Sequence, residues 1–175
     1  MRGGLFHGFQ LWVNLPAREK LTAPRYQDIP PEKIPEVALG HGVRVRVIAG
    51  EAGGVRGPAE GIATHPSYLD LHLSPRSSFS HEIPAGQTAF AYVYEGRTAF
   101  GPRGKTRDVG AGQLAVLSDG ERLSASAGET AARFLLLAAR PLREPIARYG
   151  PFVMNTREEI EQALRDYQSG ALTAA

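Results

Sequence analysis

Short stretches in which apolar and polar residues alternate recur through most of the chain. In Val43–Ile48, valines occupy positions 43, 45 and 47, and arginines occupy the two positions between them. Tyr68–Leu73 repeats the pattern, with leucines on one face and Asp70 and His72 on the other. Because successive side chains of a strand point to opposite faces, a period of two predicts strands with one buried face.

Further segments have the composition of strands. Phe90–Tyr94 is aromatic and β-branched, and a Glu-Gly turn then leads into Arg97–Phe100, which together predict a hairpin. Leu114–Leu117 and Arg133–Leu137 add two strands, while 20 glycines and 13 prolines punctuate the chain. Many short strands with such spacing predict an all-β fold, a cupin-type jelly-roll sandwich or barrel.

The C-terminal part changes to helical periodicity. Thr156 is a candidate N-cap, and Glu159 three residues later completes a capping box. Apolar residues follow at i, i+3, i+4 and i+7 from Ile160, and Gly170 lies where a helix would end. We therefore expect a short C-terminal α-helix, residues 156–170, that packs on the β domain.

The chain is accordingly divided into three segments. Residues 1–35 are expected to hold an opening strand, Phe9–Val13, and an extended connection broken by prolines. Residues 36–155 form the β domain, and the helix follows it. A chain of 175 residues is long enough to bury a core of this kind without crosslinks.

Composition narrows the possible functions. The sequence has no cysteine, which excludes disulfides, thiolate metal sites and a cysteine nucleophile, and leads us to expect a cytoplasmic protein. The net charge is only +2 and the basic residues are scattered, so no direct binding to nucleic acid is expected. The densest basic stretch, Arg97–Arg107, is interpreted as a solvated loop. No apolar segment is long enough to span a membrane, and no membrane association is expected.

Candidate chemistry is sparse. No two of the five histidines lie within four residues of each other, so the chain has no HxH or HExxH ligand pair. His72 shares a strand face with Asp70, and His81 is followed by Glu82. For His72, His81 and Glu82, a metal role stays open beside a surface or hydrogen-bonding role. No catalytic residue is assigned.

Long motifs at both ends resemble those of the pirin family, and shorter ones lie between them in the expected order. They are His7–Ala17 (HGFQLWVNLPA), Pro24–Gln27 (PRYQ), Val47–Gly50 (VIAG), Tyr68–Leu71 (YLDL), Phe90–Gly96 (FAYVYEG) and Pro141–Thr156 (PLREPIARYGPFVMNT). The resemblance covers nearly the whole chain.

The resemblance implies a carboxy-terminal cupin module from a family of bicupins. In that family an amino-terminal cupin carries a histidine and glutamate site for iron or another divalent transition metal. Some bacterial members are linked to quercetin 2,3-dioxygenase activity, and eukaryotic members to roles as nuclear transcription cofactors. Since this sequence starts at the junction between the two cupins, we expect the metal-bearing module to be absent.

The resemblance also locates where a metal-binding cupin would place its ligands. The first histidines would fall near Ile83–Gly86, the glutamate at Thr88 or Ala89, and the last histidine at Ala115. These residues are apolar or small and offer a metal ion no good donor. No metal or other cofactor is therefore expected in this chain.

Two functions of different classes follow. The first is a metal-free structural, binding or assembly module that forms a homodimer or joins a separately encoded metal cupin; the expected interface residues are Phe6, Phe9, Leu11 and Trp12. The second is part of a quercetin 2,3-dioxygenase-like oxidoreductase, active with a separate metal-bearing chain or through the His81 region. The chain could also be a fragment of a longer reading frame. Its small-molecule ligand is not predicted.

Overall fold

Apolar faces of antiparallel strands are buried against one another in this protein. The computed structural model describes residue 4 and residues 6–173, and divides into two compact units. One comprises Arg25–Pro141, and the other comprises the described residues up to Pro24 together with those from Leu142 onward.

The first unit is built from twelve strands of the described chain, all paired antiparallel. These are β1 (Glu36–Ala38), β2 (Val43–Ala49), β3 (Glu51–Ala52), β4 (Val55–Arg56), β5 (Ser67–Leu73), β6 (Ser78–Glu82), β7 (Thr88–Glu95), β8 (Arg97–Phe100), β9 (Arg107–Gly110), β10 (Gln113–Val116), β11 (Arg122–Ala127) and β12 (Ala132–Ala139). A six-stranded sheet has the order β1-β2-β5-β12-β7-β10, and a four-stranded sheet has the order β6-β11-β8-β9. Strands β3 and β4 form a separate hairpin.

The core lies between the two sheets. In β2 the three valines are at most 1% exposed, and the three leucines of β5 are fully buried, as the period of two predicts. Phe134 of the larger sheet meets Phe79 and Phe100 of the smaller one edge to face. The predicted all-β jelly-roll architecture is confirmed.

The predicted hairpin of β7 and β8 is wrong. Strand β7 pairs with β10 and β12 in the larger sheet, whereas β8 pairs with β9 and β11 in the smaller one. The chain thus changes sheets at Gly96, which has a φ of +71° and lies tight against the backbone of Ala131. The turn was identified correctly, but the pairing of its two strands was not.

The second unit contains a small hairpin and the C-terminal helix. Strands β13 (Ala147–Tyr149) and β14 (Phe152–Met154) pair antiparallel, and helix α1 spans Arg157–Ser169. Both halves of the predicted capping box form: the Glu159 amide donates to Thr156 Oγ1 at 3.2 Å, and the Thr156 amide donates to Glu159 Oε2 at 2.9 Å. Gly170 ends the helix in the left-handed conformation. The predicted helix is confirmed.

The segment before the β domain differs from expectation. Residues 9–13 belong to no strand in the part of the chain that the structure describes, because no neighbouring strand pairs with them. Lys20 instead ties this segment to β14, since its Nζ donates to Asn14 Oδ1 at 2.7 Å and to the Val153 carbonyl at 2.9 Å. The division into residues 1–35, 36–155 and 156–170 stays a prediction, as does packing of the helix on the β domain. Within the described chain, no helix is long and apolar enough to cross a bilayer.

Candidate functional site

A cavity of about 920 Å³ opens where strand ends from both sheets meet. Its walls come from the start of β7, the end of β8, β9, β10 and the start of β11, and from the loops around residues 83–87, 101–105 and 117–120. The volume lies within the range of pockets that enclose small organic molecules. This cavity is the candidate functional site.

The least exposed residues of the cavity wall include an apolar set. Ile83 and Ala89 are buried and Ala115 is half-buried, and all three line the cavity. The sequence resemblance predicts metal ligands of a cupin near Ile83, at Ala89 and at Ala115, and the structure places these three residues along one cavity. Their side chains are hydrocarbon and have no lone pairs with which to replace the water around an ion. These residues do not fit a metal ion.

The mouth of the cavity is charged. The lining residues include three basic ones, Lys105, Arg107 and Arg122, and two acidic ones, Asp108 and Asp119. The guanidinium of Arg122 lies 3.2 Å from a carboxylate oxygen of Glu82, so that charge is already paired. An apolar interior with a charged rim can hold the body of an organic molecule and orient its polar end.

His81 and Glu82 lie in β6 at the edge of a second cavity of about 760 Å³. His81 is half-buried and its ring stacks on Phe79, with ring centroids 5.9 Å apart. Burial lowers the pKa of the His81 imidazole, and the charge of neighbouring Glu82 opposes that shift in part. Glu82 is exposed and pairs with Arg122. His81 and Glu82 thus border the same cavity, but the Glu82 carboxylate is already paired with Arg122.

His72 lies in β5 of the larger sheet, opposite Arg44 on β2, whose guanidinium contacts the His72 Nδ1 atom. Burial, followed by the positive charges of Arg44 and Arg133, lowers the pKa of His72. Asp70, two residues away, accepts a hydrogen bond of 2.6 Å from the Tyr94 hydroxyl. Both residues thus belong to a polar network on the sheet surface.

No group of three or more histidine, aspartate or glutamate side chains that could hold a metal ion occurs among residues 4 and 6–173. The three candidates from the sequence, His72, His81 and Glu82, are not brought together into such a group.

The four residues expected at an interface are all exposed. Phe6 has 93% of its surface accessible and Trp12 has 66%, while Phe9 and Leu11 are exposed to a smaller degree. The rings of His7 and Phe9 contact each other, with centroids 4.9 Å apart. This stretch has no regular secondary structure, and large apolar side chains face solvent along it.

Sequence reasoning did not connect Lys105 and Arg107 to the cavity. The signal was present as the basic stretch Arg97–Arg107, but a glycine- and proline-rich basic loop has the same appearance when it is merely solvated. Only the pairing of β8 with β9 shows that this stretch borders the cavity.

Comparison with known proteins identifies relatives. The family model described as the pirin C-terminal cupin domain matches residues 68–173. A Pseudomonas aeruginosa protein provisionally named quercetin 2,3-dioxygenase is 47% identical over 174 residues, which cover 97% of this chain and 60% of that protein. Human pirin is 40% identical over 164 residues, which cover 93% of this chain and 56% of that protein.

The fold also matches a solved structure. A quercetin 2,3-dioxygenase from Acinetobacter baumannii superposes with a TM-score of 0.83 at 37% identity, covering 92% of this chain and 55% of the other. The chain therefore spans somewhat more than half the length of these relatives.

Proposed function

Because this chain belongs to the pirin family, we propose that its cupin works without a metal of its own, as a binding and assembly module. The observation that carries this proposal is the apolar set of Ile83, Ala89 and Ala115 at the positions of cupin metal ligands. An ion in that cavity would lose its water and gain no donor from these side chains, which is strongly unfavourable.

The test is the metal content of the purified full chain. The protein is incubated with ferrous, manganous and zinc salts, desalted, and measured by inductively coupled plasma mass spectrometry. We expect metal far below one equivalent per chain. A variant with Ile83→His, Ala89→Glu and Ala115→His serves as the positive control, because these changes restore donors at the same positions.

Near-stoichiometric metal in the unmodified chain would contradict the proposal. Variants His81→Ala, Glu82→Gln and His72→Ala then identify its ligands, since these residues are the donors that the sequence singled out. Loss of metal in one of them would assign a site outside the apolar cavity.

The assembly role rests on the exposed apolar segment at residues 6–12. Phe6 and Trp12 place large apolar surfaces in water, and such surfaces are typical of association sites. We propose that a second copy of this chain covers them. A separate metal-bearing cupin chain is the alternative occupant.

Light scattering coupled to size-exclusion chromatography tests the assembly role. The unmodified chain should elute as a dimer, and the double variant Phe6→Ser, Trp12→Ser as a monomer. Ile146→Ser is a matched control, because Ile146 is also 71% exposed but lies outside this segment. A stable monomer of the unmodified chain would leave only the separate cupin chain as partner, which co-purification with a full-length pirin tests.

A second candidate function is supported by the relatives. The Pseudomonas protein and the Acinetobacter structure both carry the name quercetin 2,3-dioxygenase, so this chain could form part of such an oxidoreductase. Oxygen consumption with quercetin, with and without added ferrous iron, tests it. Activity of the isolated chain that His81→Ala abolishes would favour this function over the first.

A further inference from the structure

The apolar cavity has charged groups at its mouth that the fold itself does not pair. The binding role proposed above leaves its ligand open, and the arrangement of these groups restricts what that ligand can be.

Strand register fixes the direction in which Arg107 points. Arg107 pairs directly with Phe100 in the antiparallel ladder of β9 and β8, and directly opposed residues share one face of a sheet. Phe100 is 6% exposed and belongs to the core, so Arg107, which is itself exposed, lies on the same side of the sheet and lines the cavity. An arginine on that face is unusual for a sandwich.

The neighbouring carboxylate points elsewhere. Asp108 also lines the cavity, but it pairs with Ala99, and side chains alternate along a strand, so its carboxylate belongs to the opposite face from Arg107. Lys105, in the turn that precedes β9, adds a second cation at the mouth. The side chains of Lys105 and Arg107 form no hydrogen bond or ion pair with any residue that the structure describes.

The remaining charges only partly offset these two cations. Arg122 is paired with Glu82, and Asp119 is the other carboxylate at the mouth. With the Asp108 carboxylate on the other face of β9, two unpaired cations and one carboxylate, that of Asp119, border the apolar interior. Charge complementarity favours a ligand that carries an anionic group and an apolar body.

We infer that this cavity binds a small organic carboxylate, with its apolar body against Ile83, Ala89 and Ala115 and its carboxylate at Arg107 and Lys105. This inference rests on the proposed metal-free binding role, because a bound metal ion would occupy the same space. A fork-shaped guanidinium is well matched to a carboxylate, since it can donate two parallel hydrogen bonds.

Isothermal titration calorimetry with 2-naphthoate tests the inference, with neutral 2-naphthol and cationic 2-naphthylmethylamine as matched probes of the same ring system. We expect naphthoate to bind about ten-fold or more tightly than naphthol, and the amine to bind most weakly. Equal affinities for the three probes, or no binding of naphthoate, would overturn the inference.

Two variants locate the site. Lys105→Gln combined with Arg107→Gln should reduce naphthoate affinity to the level of naphthol without changing the binding of naphthol. Arg103→Gln, in the same basic loop but not at the cavity, is the matched control and should bind naphthoate normally. Ala115→Leu should weaken both probes by filling the cavity, with urea unfolding as the check that the variant is folded.

If the double variant binds naphthoate as tightly as the unmodified chain, the inference is wrong, and Arg107 then serves as a charge that protects an edge strand from unwanted pairing. Metal content is measured on the same samples. Retained metal means that the proposed metal-free role has failed, whereas a metal-free chain that binds no naphthoate means that this inference alone has failed.

Discussion

Phe100 and Phe134 meet edge to face across the core, with ring centroids 5.1 Å apart and ring planes at 82°. The two rings come from different sheets, so their contact joins the halves of the sandwich. Phe100 also lines the candidate cavity, whereas Phe134 lies wholly within the core. Packing between the sheets and the shape of the cavity are therefore linked through this pair.

Replacing Phe134 with alanine should destabilise the β domain severely. The side chain is fully buried, and removal of such a ring costs about 3–5 kcal/mol of unfolding free energy through lost burial and an unfilled cavity. Urea unfolding monitored by circular dichroism measures this loss. Tyr26→Ala, at a position that is 87% exposed, is the control and should change stability by less than about 0.5 kcal/mol. A loss of similar size in both variants would contradict the burial of Phe134 in the core.

Gly96 should tolerate alanine much less well than Gly86 does. Both glycines have positive φ, at +71° and +78°, so each alanine variant carries a backbone strain of about 1–2 kcal/mol. At Gly96 the added Cβ would also clash with the Ala131 carbonyl oxygen, whereas at Gly86 it would meet no heavy atom within 4 Å. The difference in urea midpoint between the variants measures the clash. Equal midpoints would mean that the crossing between the sheets can relax.

Local sequence patterns were sufficient for several strands and for the helix of this fold. Val43, Val45 and Val47 alternate because one face of β2 is buried, and this burial leaves a direct trace in the sequence. The capping box of Thr156 and Glu159 is likewise a local signal. Such features can be predicted because their causes lie within a few residues.

Features that depend on distant partners were not predicted. The turn before Arg97 has the same residues whether the next strand returns to its own sheet or enters the other one, and the hairpin prediction therefore failed. Cavity positions such as Ala115 could be located by motif spacing, whereas Arg107 could not. Its orientation depends on its pairing with Phe100, which no local pattern encodes.

His81 should make folding stability fall as the solution becomes acidic. Burial holds the pKa of the folded-state imidazole below its usual value near 6.5, so the unfolded chain takes up this proton first. Stability from this group is present above about pH 6.5 and is lost as the pH falls through the folded-state pKa. His81→Gln should therefore lose less stability between about pH 7.5 and pH 5.5 than the unmodified chain does, as measured by urea unfolding.

The exposed residue His41 provides the control for that comparison, through the variant His41→Gln. The pKa of His72 is also lowered, so the His81 variant should retain part of the acid sensitivity. An acid-induced loss in His81→Gln equal to that of the unmodified chain would show that the ring is solvated, contrary to its stacking on Phe79.

Tyr94 should give the opposite dependence at alkaline pH. Burial and the hydrogen bond to Asp70 raise the pKa of the Tyr94 hydroxyl above its usual value near 10, because a tyrosinate beside a carboxylate would be desolvated and repelled. The folded state then holds this proton more tightly than the unfolded state, so stability is lost as the pH rises above about 10.

Tyr94→Phe should be less stable than the unmodified chain at pH 8, by about 1.5–3 kcal/mol for a hydrogen bond to a charged acceptor. The variant should nevertheless lose less further stability between about pH 8 and pH 10.5. Tyr149→Phe, at an exposed position, is the control and should lose as much stability at alkaline pH as the unmodified chain does. If Tyr94→Phe also loses as much stability as the unmodified chain, Tyr94 is not coupled to Asp70.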